Sequence, residues 1–121
     1  MTWTSIIDKT TSYLFPKIKE MGYDGVEIPL IDPFKMDASL INVFQKELEK
    51  NHLGCVCGAG LGKSNNLIDD DPDIRQKGID FVKRSIEVCS DLGSNMLCGV
   101  LYGTFEMSKG RARTQTEWNR A

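Results

Sequence analysis

Hydrophobic positions along the chain alternate between two patterns: stripes at helical spacing and short continuous apolar runs. Leu14, Ile18 and Met21 mark one face of a helix over roughly 11–21, with Pro16 in its first turns, where a missing N–H costs least. Leu40, Ile41, Phe44 and Leu48 mark a second helix over about 37–51, with Asp37 as its N-cap. The clearest stripe is Ile74, Gly78, Phe81, Val82, Ser85, Ile86, Cys89 and Leu92, behind the start signal Asp71-Pro72. Each helix precedes a glycine suited to a left-handed C-terminal cap, namely Gly22, Gly54 and Gly93.

The runs "DGVEIPL", "GCVCGAG" and "NMLCGVL" follow those glycines directly, and a fourth, "MTWTS", precedes the first helix. Continuous apolar runs are expected of parallel strands buried on both faces. Strand and helix recur at about 30 residues, the length of a βαβ unit. The fold class is therefore α/β, with roughly four parallel strands and three helices. A closed (β/α)8 barrel typically needs about 250 residues, so the count matches half of a TIM barrel, with 1–121 as its N-terminal half. Thr116 is placed to cap a further helix anchored by Trp118. A helix ending after one turn has no face to bury, which reads as a truncated product.

Composition narrows the function classes. The chain has 121 residues, a formal charge of -2 and 26% charged residues, so neither a nucleic-acid footprint nor a membrane-attracting surface is expected. No apolar stretch approaches the roughly 18 residues that span a bilayer, and the N-terminus lacks the basic-then-apolar pattern of a signal peptide, so the expected location is cytoplasmic. Cys55, Cys57, Cys89 and Cys98 match no common zinc spacing and read as reduced, buried thiols.

Several motifs carry competing readings. "CGAGLGKS" invites comparison with a phosphate-binding P-loop, but Cys57 stands where the first glycine is required, and Lys63 occupies the last glycine of G-x-G-x-x-G. A glycine-rich strand exit is the simpler reading, which weakens an open-sheet nucleotide-binding domain. His52 suits a cation at a helix C-terminus, and Asp69, Asp70, Asp71 and Asp73 suit a helix N-terminus. Trp3, Tyr102 and Phe105, near strand ends, either stack on a sugar or close the core. Glu27 stands between Val26 and Ile28 in a strand. A carboxylate there needs a buried lysine or arginine partner, or else it forms the polar floor of an active site.

"LFPKIKEMGYDGVEIPL", "GAGLGKSNNL" and "DPDIRQKGIDFVKRSIEVCSDLGSNMLCGVLYGTF", in that order and followed by "GRARTQTEW", are similar to the N-terminal half of the ketose 3-epimerases. These include the D-tagatose and D-psicose 3-epimerases of the xylose-isomerase-like superfamily. The resemblance implies a TIM barrel holding a divalent metal (manganese, magnesium or cobalt) that polarises a monosaccharide while two glutamates remove and return a proton. In that family the ligands Glu, Asp, His and Glu come from strands five to eight, which lie beyond this chain, and both catalytic glutamates belong to that set. The resemblance assigns no catalytic residue and no metal ligand here.

What the resemblance does assign is a substrate-side wall: Trp3, Glu27, Gly58, Gly99, Val100 and Phe105. Phe105 departs from a tryptophan of some members, and Gly58 replaces a cysteine, which leaves the ketose open. The expected partners are a sugar and either a second copy or a C-terminal half. The alternative is a non-catalytic half-barrel acting as a binding or assembly module, because an open sheet leaves edge groups and apolar surface to cover.

Overall fold

The computed structural model describes residues 4, 8–104 and 110–121. Three parallel strands, β1 (Gly25–Pro29), β2 (Gly54–Leu61) and β3 (Leu97–Thr104), form one sheet in the order β1-β2-β3. Among the described residues four α-helices accompany them: α1 (Leu14–Glu20), α2 (Ala38–Lys50), α3 (Pro72–Asp91) and α4 (Gln115–Arg120). The strand expected at "MTWTS" lies, apart from Thr4, outside the described residues.

The sequence pattern explains why these elements form. Asp37 accepts the Leu40 N–H at 2.8 Å and Asp71 accepts the Asp73 N–H at 2.9 Å, each satisfying a donor that an α-helix leaves orphaned at its start. Three helices end in the same way. After α1, the Gly22 N–H bonds Lys19 O and the Tyr23 N–H bonds Ile18 O; after α3, Gly93 bonds Ser90 O and Ser94 bonds Cys89 O. Gly22 and Gly93 have φ of +87° and +74°, the left-handed conformation this cap requires.

The cap after α2 corrects the sequence reading. His52, at φ +51°, takes the left-handed position, with its N–H on Glu49 O and the Leu53 N–H on Leu48 O. Gly54 instead opens β2 and donates to Asp24 O at 2.8 Å. Leu48 and Leu53 are both buried, and their apposition is the hydrophobic contact that accompanies such caps.

The first helix also differs from expectation. Lys9–Tyr13 form a 3-10 turn capped by Asp8, and α1 begins only at Leu14. Its buried face is Phe15 and Ile18, whereas Met21, in the cap, is exposed. Phe15 meets Phe44 of α2 edge-on, with ring centroids 5.3 Å apart. On α3 the buried face is Gly78, Phe81, Ser85, Val88 and Cys89, while Ile86 points to solvent. Gly78 has no room for a side chain, because a Cβ would collide with the Asn65 carbonyl.

The strands are buried on one face. Ile28 and Leu30 of β1 and its exit, and Cys57, Ala59 and Leu61 of β2, join the helices in one core. Ile28 pairs in register with Cys57, so these side chains share a face. Glu27, Val56, Gly58 and Gly60 alternate with them on the other face, and none of these is fully buried. Among the described residues helices cover one side of the sheet, and the burial expected on both faces is seen on that side.

At the far end, α4 is capped by Thr114 rather than Thr116: Thr114 Oγ1 accepts the Glu117 N–H, and the Glu117 carboxylate accepts the Thr114 N–H at 2.8 Å. Trp118 is 62% exposed and Glu117 only 3%. The inward anchor of this helix is thus a carboxylate, held by two hydrogen bonds from Arg111 at 2.9 and 3.1 Å.

Candidate functional site

The open face of the sheet carries a cavity of about 350 Å³, lined by Glu27, Pro29, Leu30, Ile31, Gly58, Ala59, Gly60, Cys98 and Gly99. Register builds it. Pro29, Gly58 and Cys98 are partners across all three strands, so they stand in one row on one face. Gly58 and Gly60 contribute only backbone to the floor, and that absence of side chains makes the hollow.

Glu27 sits at the edge of this hollow. Its carboxylate leans over Gly58 so closely that a Cβ on Gly58 would collide with Glu27 Oε1. Among the described residues no hydrogen bond or ion pair reaches the Glu27 carboxylate, and the buried basic partner considered from sequence is not found among them. The carboxylate is exposed to the open face, which keeps it hydrated without the cost of burying a lone charge.

Gly99 has φ +132°, and a Cβ there would meet the Ala59 carbonyl. Only glycine lets β3 approach β2 at this point. Beyond it, the pairing slips: Gly60 matches Val100, but Leu61 matches Thr104. Such an irregularity bends a strand and re-aims its side chains. Val100 pairs with Gly60 and is half-buried, but it does not line the cavity.

Of the six residues assigned to the sugar wall, Glu27, Gly58 and Gly99 meet in one cavity, and Val100 stands beside it. Trp3 and Phe105 lie outside the described residues. Tyr102 is 64% exposed on β3. Sequence reasoning missed Pro29, Gly60 and Cys98. Pairing the C-terminal part of "GVEIP" with "GAG" in parallel register would have found the first two. Cys98 is exposed, contrary to the expectation of buried thiols, because it stands on the cavity face, and its thiol donates to Cys57 O at 3.4 Å.

The neighbouring loops are closed on themselves. Gly62 N–H donates to Asn65 Oδ1 at 2.6 Å, and Asn66, 2% exposed, accepts the Ile68 N–H. With the Gly62 N–H engaged, "GAGLGKS" runs out of β2 into a turn whose Asn65 carbonyl packs against Gly78 of α3. The acidic run is also structural: Asp71 caps α3, Asp69 accepts the Asp71 N–H, and Arg75 bonds the carbonyls of Asp69 and Asp70. Arg120 of α4 reaches Asp69 O and the Asp70 carboxylate, tying α4 to the start of α3.

Among the described residues no three His, Cys, Asp or Glu side chains converge as a metal-binding group. No helix among them is long and apolar enough to cross a membrane.

Parallel strands joined by helices, with a cavity on the face the helices leave open, define a segment of a (β/α) barrel. The family model described as the xylose isomerase-like TIM barrel matches residues 15–121, and the chain belongs to that family. It is 29% identical over 107 residues to a ketose 3-epimerase of Arthrobacter globiformis, covering 88% of this chain and 36% of that protein. It is 31% identical over 98 residues to an L-ribulose 3-epimerase of Methylomonas sp., covering 81% and 33% respectively. The fold superposes on D-allulose 3-epimerase from Methylomonas sp. with a TM-score of 0.87 at 24% identity, covering 98% of this chain and 40% of that one. The chain thus spans about a third of the length of these curated relatives.

Proposed function

We propose that this chain forms the N-terminal part of a ketose 3-epimerase-type barrel and supplies one wall of its sugar pocket. The observation that carries the reading is the Glu27 carboxylate, without a partner among the described residues, leaning over the side-chain-free floor at Gly58. A carboxylate accepts hydrogen bonds from sugar hydroxyls, and backbone flanked by glycines lets a ring approach closely. Fold alone does not assign chemistry; what supports the sugar is the site together with relatives named as acting on ketoses and L-ribulose.

In this reading Trp3 and Phe105 complete the wall as stacking aromatics, and Gly99 and Val100 shape its far side. The complete enzyme of this family type holds a divalent metal. The described residues offer no such group, so Glu27 is assigned to the sugar, and no step is routed through a metal. The proton-transfer groups belong to the remainder of the barrel, and the isolated chain is catalytically silent.

The test is complementation. The chain is co-produced with the remaining strands of a relative's barrel and assayed on D-allulose, D-fructose, D-tagatose and L-ribulose with manganese. Epimerisation by the pair and none by the chain alone supports the reading. Turnover by the purified chain alone contradicts it.

A second reading is an assembly module. Ile31, Phe34 and Tyr102 are each at least 60% exposed, and apolar surface of this kind favours association. Light scattering over a concentration series decides: a chain that stays monomeric when concentrated rules it out.

A further inference from the structure

β2 and β3 pair without interruption from Cys57 opposite Leu97 to Gly60 opposite Val100, and the next pair is Leu61 with Thr104. Continued unbroken, the same register would set Leu61 opposite Leu101. Leu61 is buried and Leu101 already packs against the same core, so that alternative joins two apolar side chains. The observed register instead leaves Leu101, Tyr102 and Gly103 without register partners on β2, and Tyr102 largely exposed. Glycine-rich strands specify register weakly, and β3 carries Gly99 and Gly103. The strand pair alone therefore does not explain why the displaced pairing is the one adopted.

An arginine stands against the displaced end. A Cβ on Gly103 would lie 3.8 Å from Arg113 Nη2 and equally far from Ile68 Cδ1, so the guanidinium and Ile68 close over this glycine. Arg113 Nη1 is 3.9 Å from Glu117 Oε1, and Glu117 is only 3% exposed. Arg111 and the Thr114 N–H hold the same carboxylate independently, which fixes the counter-charge that Arg113 faces. One turn further along α4, Arg120 bonds Asp69 O and the Asp70 carboxylate, next in the chain to Ile68. The end of β3, the turn before α3 and the start of α4 thus meet around Arg113.

Breaking a buried ion pair on one side leaves an uncompensated charge, and the best-attested use of such pairs is to specify register. We propose that Arg113, with Glu117 as its counter-charge, is a positioning residue: it selects the displaced register at the end of β3 over the unbroken one. The strand it fixes carries Cys98 and Gly99 in the cavity wall, and the irregularity begins directly after Val100, beside the cavity. Return to the unbroken register would remove the bend and re-aim this end of the wall. The effect on ketoses rests on the sugar-wall reading; the choice of register is a property of the chain itself.

Hydrogen exchange on the folded chain, read by mass spectrometry, tests the register. In Arg113→Gln and in the isosteric Glu117→Gln, exchange over 97–104 is expected to rise several-fold while 25–29 stays at the wild-type level. Arg113→Lys, which keeps the charge, restores part of the protection, and Arg111→Ala, which leaves Glu117 facing Arg113, leaves 97–104 protected. Wild-type exchange over 97–104 in both glutamine variants, or a rise shared equally by 25–29, would overturn the proposal. In the complemented barrel, Arg113→Gln is expected to raise the ketose KM several-fold with kcat little changed, and Arg113→Lys to recover part of it. An unchanged KM beside raised exchange in β3 would overturn the pocket role. Should the wild-type pair turn over no ketose, the sugar-wall reading fails, and the exchange result still decides the register.

Discussion

A carboxylate oxygen of Glu27 occupies the space that a side chain on Gly58 would need, although the two residues stand on neighbouring strands and are not register partners. The charge and the missing side chain are one feature. Replacing Gly58 by alanine pushes against the free end of a flexible side chain, so the fold yields cheaply. Gly58→Ala is expected to change unfolding free energy by no more than about 0.5 kcal/mol, while displacing the carboxylate and weakening ketose binding in the complemented barrel. Urea unfolding and KM read the two effects separately.

Gly99 gives the opposite result. Its φ of +132° and its contact with the Ala59 carbonyl involve backbone that has nowhere to move. Gly99→Ala is expected to cost about 3 kcal/mol, visible as a lower urea midpoint. A midpoint within error of wild type would contradict this account of the β2–β3 approach.

His52 holds a left-handed conformation at the end of α2. A non-glycine residue there carries a steric cost of roughly 1 kcal/mol, so His52→Gly is expected to stabilise the chain by about 0.5–1 kcal/mol. Were the histidine side chain serving mainly as a cation at the helix C-terminus, the same variant would lower stability. Thermal unfolding distinguishes these directions.

Asp37 supplies a pH-dependent contribution. The Leu40 N–H, followed by the Ser39 side chain, holds its carboxyl below the ordinary 3.8. A carboxyl depressed in the folded state stabilises above its unfolded value, and that contribution is lost as pH falls through the folded value. Asp37→Asn, which still caps, is expected to match wild type at pH 7 and to lose less stability below pH 3.8. An equal acid slope in both proteins would contradict the assignment.

The parts of the fold legible in the sequence were those set by local chemistry. Asp37 and Asp71 announce helix starts, Gly22 and Gly93 announce helix ends, and Leu40 through Leu48 announce a buried face. What escaped depends on partners distant in sequence. His52 takes a cap that composition assigned to Gly54, because the position two residues past α2 is fixed by the Leu48–Leu53 contact. Glu117 replaces Trp118 as the anchor of α4 because Arg111 neutralises it. The strands read as buried on both faces because sequence does not reveal which side the helices cover. For the site, Glu27 stood out as a charge in an apolar run, but Cys98 and Pro29 emerge only from the three-strand register.

The most direct test of the sugar-wall assignment is the kinetics of Glu27→Gln in the complemented barrel, assayed on the ketose that the wild-type pair turns over best. Loss of a charged acceptor for sugar hydroxyls is expected to lower kcat/KM by about tenfold or more, chiefly through KM, with the fold intact by circular dichroism. A kcat/KM equal to that of the wild-type pair would show that Glu27 does not face the substrate and would remove the central support for the proposal.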